Sequence, residues 1–397
     1  MNPRRLLLNT LALVFIASML LAGYWSICFA WADYQFSRQT PESVATAARM
    51  IPNRASYWAG LSMALSDTNP GESLAALQRA NALNPHESQY WIDLGLVKES
   101  RGDLKEAEKD LLKAAEVDRM YLPRWSLANF YFRQGNKDEF WRWAHKAMEM
   151  AYGDPSPLFN LCWEMTQDAQ RIERELNIER PEIRIQYLSF LLGQNHPEAI
   201  APAALRAASA ATPEAGTILL AACERLLKDQ RVDDAVRVWT RVQTPKPSTA
   251  FTITNSDFAT PPISTGFDWR LVDFDGIAVS REELSPGLRL SFSGKQREDC
   301  EPLWQLAPVK AGTSYRLRIQ FEAEGIPKGS GLQWRVHNAY GDALIAETDG
   351  QELQFTAPRD CRLIRLALRY RRAAGHRRIE GNVLLHRVTL TSVTPGD

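Results

Sequence analysis

Charge is missing from the start of the chain. From Leu6 to Ala32 there is no Asp, Glu, Lys or Arg in 27 positions. That absence excludes an ordinary solvated helix. Wound as a helix, the run is roughly 40 Å long at about 1.5 Å per residue, against a bilayer hydrocarbon core of about 30 Å. Net charge is missing as well: 47 basic residues balance 47 acidic ones over 397 positions. No global field draws such a chain to nucleic acid. The five cysteines include no CxxC and no Cys/His cluster at zinc spacing, which excludes a zinc scaffold. A nucleophile elbow, HExxH, a P-loop and a dinucleotide glycine fingerprint are all lacking, and the six histidines are scattered. The expectation is a non-catalytic protein with no cofactor and no metal.

Arg4 and Arg5 precede the apolar run and Asp33 closes it. By the positive-inside rule the arginines stay cytoplasmic. Residues 6–32 then contact a bacterial inner membrane as a single-pass anchor, with residues 33–397 periplasmic or extracytoplasmic. The alternative is a secreted chain cut near Ala32, because Ala30-Trp31-Ala32 has the small-x-small form of a processing site. Trp25, Trp31 and Tyr34 resemble an interfacial aromatic belt, which favours the anchor.

Next comes a repeat. Trp58, Trp91, Trp125 and Phe159 lie 33, 34 and 34 residues apart. Such a period belongs to helix-turn-helix units that must stack to bury their apolar faces. In the second unit Trp91-Ile-Asp-Leu94-Gly95 opens one helix, Gly102-Asp103 turns the chain, and Ala107 and Ala114 share a face of the next helix. On these residues the chain resembles the tetratricopeptide family, strongly over 55–155 and weakly to 243. Trp141 stands at the first small-residue position of the third unit and predicts local repacking. Two looser helix pairs follow, at 183–210 and 218–242. The resemblance implies a groove lined by the first helix of each pair, where Gln89, Asp93, Glu99 and Arg133 are candidates to meet a protein partner.

Residues 244–250, with two prolines, read as a linker. Beyond them the apolar period falls from 3.6 to 2. Leu288–Phe292, Tyr315–Phe321, Leu332–Val336 and Leu363–Tyr370 alternate as strands of a β-sandwich. The expected order is membrane segment (1–32), all-α solenoid (33–243), linker (244–250) and all-β sandwich (251–397). Asn255-Ser-Asp-Phe258, Leu303-Trp-Gln305, Val309-Lys-Ala-Gly312-Thr-Ser-Tyr315 and the closing Gly381-Asn-Val-Leu-Leu-His-Arg-Val388 make this last part look like the jelly-roll carbohydrate-binding modules of the cellulose- and xylan-binding type. Ala259 and His386 stand where such modules place acidic calcium ligands, so the resemblance implies no metal here.

Glycan binding needs flat rings, and Trp304, Trp334, Tyr340 and Tyr370 are the candidates, although Trp334 alternates with Leu332 and Val336 as a core residue would. Residues 361–378 hold seven Arg, one His and no acid. On a strand, Arg365, Arg369 and Arg371 turn away from the apolar face. They could meet an acidic polysaccharide, since guanidinium forks match carboxylate and phosphate, or protect an edge. Glu298, Asp299 and Glu301 read as a surface loop near Trp304. Pairing of Cys300 with Cys361 stays open. The function that follows is a membrane-anchored envelope scaffold holding a protein partner and a polysaccharide, in cell-surface polysaccharide assembly or export. The alternatives are a purely structural protein scaffold and, distantly, a glycan-active enzyme.

Overall fold

The computed structural model describes residues 3–194, 196–208, 213–242, 253–281 and 286–393. The expected linker lies outside the described residues. Contacts divide the chain into two compact units, Met1–Ile178 and Glu179–Asp397.

The first unit is helical. Helix α1 (Pro3–Ser37) is unbroken, and from Leu11 it is long and apolar enough to cross a membrane. It is followed by α2 (Pro41–Met50), α3 (Ala55–Leu65), α4 (Pro70–Leu83), α5 (Ser88–Ser100), α6 (Leu104–Val117), α7 (Tyr121–Arg133), α8 (Lys137–Glu149), α9 (Ser156–Thr166) and α10 (Ala169–Leu176). Side-chain caps start several of them. Asn69 accepts from the Glu72 amide, Asn136 from that of Glu139, and Asp168 from those of Gln170 and Arg171, each satisfying an otherwise orphaned N–H.

The repeat register differs from the spacing of the aromatics. Helices α3, α5 and α7 start 33 residues apart, at 55, 88 and 121. The indole N–H of Trp58 donates to the Pro52 carbonyl and that of Trp91 to Pro85, both at 2.9 Å. The residue 33 further on is Arg124, whose Nη1 donates to the Lys146 carbonyl at 2.8 Å. Trp125 sits one position round the helix, its indole nitrogen buried. Likewise Phe140, not Trp141, takes the place of Ala107, and Ala144 takes that of Leu111. A large residue has replaced a small one and a small residue a large one, which keeps volume between the paired helices.

The second unit begins with α11 (Pro181–Gly193), α12 (Pro197–Ala207), α13 (Pro213–Lys228) and α14 (Val232–Val242). Among the described residues ten strands follow: β1 (Arg270–Leu271), β2 (Ile277–Arg281), β3 (Leu288–Ser293), β4 (Asp299–Pro308), β5 (Ser314–Glu324), β6 (Leu332–Asn338), β7 (Leu344–Thr348), β8 (Glu352–Thr356), β9 (Leu363–Arg371) and β10 (Glu380–Ser392). They form two five-stranded antiparallel sheets, ordered β1-β4-β9-β6-β7 and β2-β3-β10-β5-β8. The chain passes repeatedly from one sheet to the other, as in a jelly roll. Trp269, Leu303, Trp334, Leu366, Tyr370, Leu317 and Leu385 fill the space between the sheets.

Cys300 and Cys361 are both buried and free. Cys300 lies opposite Tyr370 at one end of the β4–β9 ladder, whereas Cys361 precedes Leu363, which faces Pro308 at the other. That is roughly 25 Å of strand at about 3.3 Å per residue, too far for a disulfide.

Candidate functional site

The arginine face of β9 is placed by strand alternation. Leu366, Leu368 and Tyr370 point into the core, and Arg365 and Arg369 point out. Their charge is not left open, as the sequence suggested. Glu298, Asp299 and Glu301 meet it, and the last two stand on β4 rather than in a loop. Arg365 pairs with Glu301, Arg369 makes a two-pronged pair with Asp299, and Arg372 and Arg378 reach Glu298 at 3.2 and 3.5 Å. The hydrogen bond from Arg369 holds the Asp299 carboxyl below its ordinary pKa, and Arg372 does the same for Glu298. Arg371 is exposed at the end of β9, directly opposite Asp299 in the ladder.

The ring candidates divide. Trp334 and Tyr370 are interior side chains, so neither offers a ring face outward. The Trp334 ring meets Trp269 edge-on at 6.2 Å, and the Tyr370 hydroxyl accepts from the Ile379 amide. Trp304 does stand on the outer face of its sheet, half-buried, but the guanidinium groups of Arg270 and Arg365 lie 4.7 and 4.9 Å from its ring centre. Tyr340 is exposed on the turn after β6, where its hydroxyl donates to the Leu227 carbonyl of α13 at 2.8 Å and burial pushes its pKa up to about 12. Of the four rings, then, only those of Trp304 and Tyr340 reach the surface, and both are engaged.

In the first unit the four groove candidates fall into two satisfied pairs. Gln89 donates to Asp93 at 2.8 Å along α5, and burial raises the Asp93 carboxyl. Arg133 of α7 grips Glu99 of α5 through two bonds of 2.7 and 2.8 Å, joining successive repeats. Exposed Met63 and Leu96 stand 33 residues apart on α3 and α5, an apolar feature that the aromatic spacing did not single out.

A cleft at one end of the sandwich was also missed. It has a volume of about 410 Å³ and is lined by Asp273, Phe274 and Asp275 from the β1–β2 connection, Lys295, Gln296 and Arg297 from the β3–β4 connection, and Arg378. Gln296 is fully buried and donates to the Ile379 carbonyl at 2.8 Å, tying the cleft to the segment before β10. Gly276 presses on the opposite loop; a Cβ there would lie 2.5 Å from the Gln296 nitrogen. Lys295 and Arg297 are exposed, and among the described residues neither has an ion-pair partner. The signal was present as Asp-x-Asp and Lys-x-Arg in two loops, but nothing in one dimension brings them together. Among the described residues no group of three His, Cys, Asp or Glu side chains could hold a metal ion.

No protein-family model matches the chain, and no curated protein matches it. Solved structures resemble parts of it. The crystal structure of MamA is 26% identical over 28% of this chain and 66% of its own, with a TM-score of 0.26. YrrB, a TPR protein with an unusual peptide-binding site, is 13% identical over 51% of this chain and 92% of its own, with a TM-score of 0.27. A CBM4 structure is 13% identical over 36% of this chain and 99% of its own, also with a TM-score of 0.27.

Proposed function

We propose that the chain is a non-catalytic envelope scaffold: α1 anchors it in a membrane, the helical repeats dock a protein partner, and the sandwich engages an acidic glycan at the loop-end cleft. The unpaired cations Lys295 and Arg297, standing with Arg378 around that cleft, carry the glycan part of this reading. A carboxylate-bearing sugar there gains charge-assisted bonds from them, while Asp273 and Asp275 accept from its hydroxyls. Single contacts of this kind are weak, and tethering to a membrane raises their effective concentration.

The test is a panel of acidic and neutral glycans presented to the detergent-solubilised full chain at low and high salt. Salt-sensitive binding to acidic glycans, lost in the Lys295→Ala/Arg297→Ala double variant, is expected. Absence of binding by the folded chain would sink the glycan part. A second reading, a protein scaffold with no glycan ligand, is favoured by the two buried rings and the paired arginines of β9. It predicts a partner complex indifferent to Lys295, Arg297 and Trp304.

A further inference from the structure

The end of α1 belongs to two environments at once. From Leu11 to Ile27 its side chains are exposed all round, as a segment facing hydrocarbon would be. Cys28 is half-buried. Ala32 is fully buried, packed in one apolar cluster with Val44, Ala47, Ala48, Ile51, Tyr57 and Leu61. Phe36 lies against the Tyr57 ring at 5.1 Å and covers Gly60, leaving no room for a Cβ there. Asp33 accepts from Arg54 at 2.9 Å and from the Tyr57 hydroxyl at 2.5 Å. A three-residue turn, 38–40, joins α1 to α2, so α2 runs back along α1. Its ten residues carry the chain about 15 Å back toward the apolar segment.

We propose that residues 28–36 are the first helix of the solenoid rather than part of the membrane span, and that the corner made by α1, α2 and the start of α3 rests in the lipid headgroup layer. This rests on the anchor reading given above. The span is then Leu6–Ile27, which at about 1.5 Å per residue is about 33 Å and matches the hydrocarbon thickness. The corner carries the chemistry of that layer. The Trp31 and Tyr34 rings are exposed and 5.4 Å apart, and Arg38 in the turn and Arg49 in the last turn of α2 are exposed as well. Indole and phenol rings settle at headgroup level, and guanidinium groups bind lipid phosphate. Cutting after Ala32 would remove a core residue and leave only the stub 33–37 of α1 against α2 and α3, so Ala30-Trp31-Ala32 is structure and not a processing site.

Three measurements on the full chain decide this. The first is the intact mass of protein purified from membranes, expected at 44.9 kDa. The second is amide exchange of α2–α4 in Ala32→Leu and Ala30→Leu. Both changes stay apolar, but only the first overfills the core, so protection should fall tenfold or more in Ala32→Leu and hold in Ala30→Leu, where the side chain is exposed. The third is a nitroxide at Asn53→Cys in a Cys28→Ala background, in phosphatidylethanolamine–phosphatidylglycerol vesicles doped with a nickel-chelating lipid. It should be relaxed by the headgroup nickel, and a label at Lys137→Cys should not. A chain beginning at Asp33 would overturn the anchor reading and this inference together. An intact, membrane-bound chain in which the two leucine variants behave alike, or in which the Asn53 label is not relaxed, would overturn this inference and leave the anchor standing.

Discussion

Gly95 shows how one residue sets the distance between paired helices. A Cβ built on it would lie 2.7 Å from Leu111 Cγ and 3.2 Å from the Ala107 carbonyl oxygen. Helix propensity alone favours almost any residue over glycine here, so its presence reflects close approach. Gly95→Val should destabilise the first unit by about 1–3 kcal/mol through overpacking. Shortening Leu111 to Ala in that background should recover part of the loss. Denaturant unfolding of the single and double variants measures both, and a double variant no better than the single would show the overlap lies elsewhere. The same physics explains why Ser62 can stand at the equivalent place one repeat earlier: its hydroxyl lies 3.0 Å from that of Ser73, where the next repeat has Ala107. A pair of small polar residues has taken the place of glycine and alanine, and both are buried and bonded.

At the scale of elements, β9 is held to β4 by charge on one face and by apolar packing on the other. Arg369 lowers the folded-state pKa of Asp299. The pair therefore stabilises the fold fully above the unfolded value of about 3.9, and its contribution is lost as pH falls through the lower folded value. The side chain of Asp299 is half-exposed, so the gain is less than about 1 kcal/mol and screened by salt. Asp299→Asn should melt slightly below the parent at pH 7 and low salt. The gap should close both in acid and in high salt; a gap that persisted at pH 2 would point to packing instead. The alternation of β9 was legible in the sequence because period 2 is a local property, and it put Arg365 and Arg369 on the outer face. Their neutralisation was not, since their partners Glu301 and Asp299 lie 64 and 70 positions away along the chain. Local matching also misled in the repeats. Trp125 was the nearest aromatic to the expected place, yet Gly102 and Gly135, 33 apart, carry the true register, because the turn and not the ring fixes where a helix starts.

At the scale of the whole molecule, the division of contacts places α11–α14 with the sandwich. The seam within this second unit is specific. Glu224 of α13 accepts from the Thr265 hydroxyl at 2.9 Å and from the Gly266 amide and Arg270, each at 2.5 Å. Trp239 of α14 meets Phe267 edge-on and lies so close to Gly266, which has a φ of +58°, that no Cβ fits. Arg362 and Tyr340 make further bonds to Asp233 and Leu227. A solenoid end otherwise exposes an apolar face that needs a cap, and the sandwich covers α13–α14 in that way. The seam predicts that the last helix pair and the sandwich open together. Glu224→Ala removes the acceptor of three donors at a cost of about 1–2 kcal/mol. Amide protection should then fall about five- to thirtyfold in α13 and α14 and also in strands β1, β4 and β9, while α2–α10 hold their parent values. Hydrogen exchange read by mass spectrometry on the full chain gives all of these regions in one experiment. If protection fell in α13–α14 alone, the helices and the sandwich would be separate cooperative units joined only at their surfaces, and the cleft at Lys295 and Arg297 could be carried by the sandwich without them.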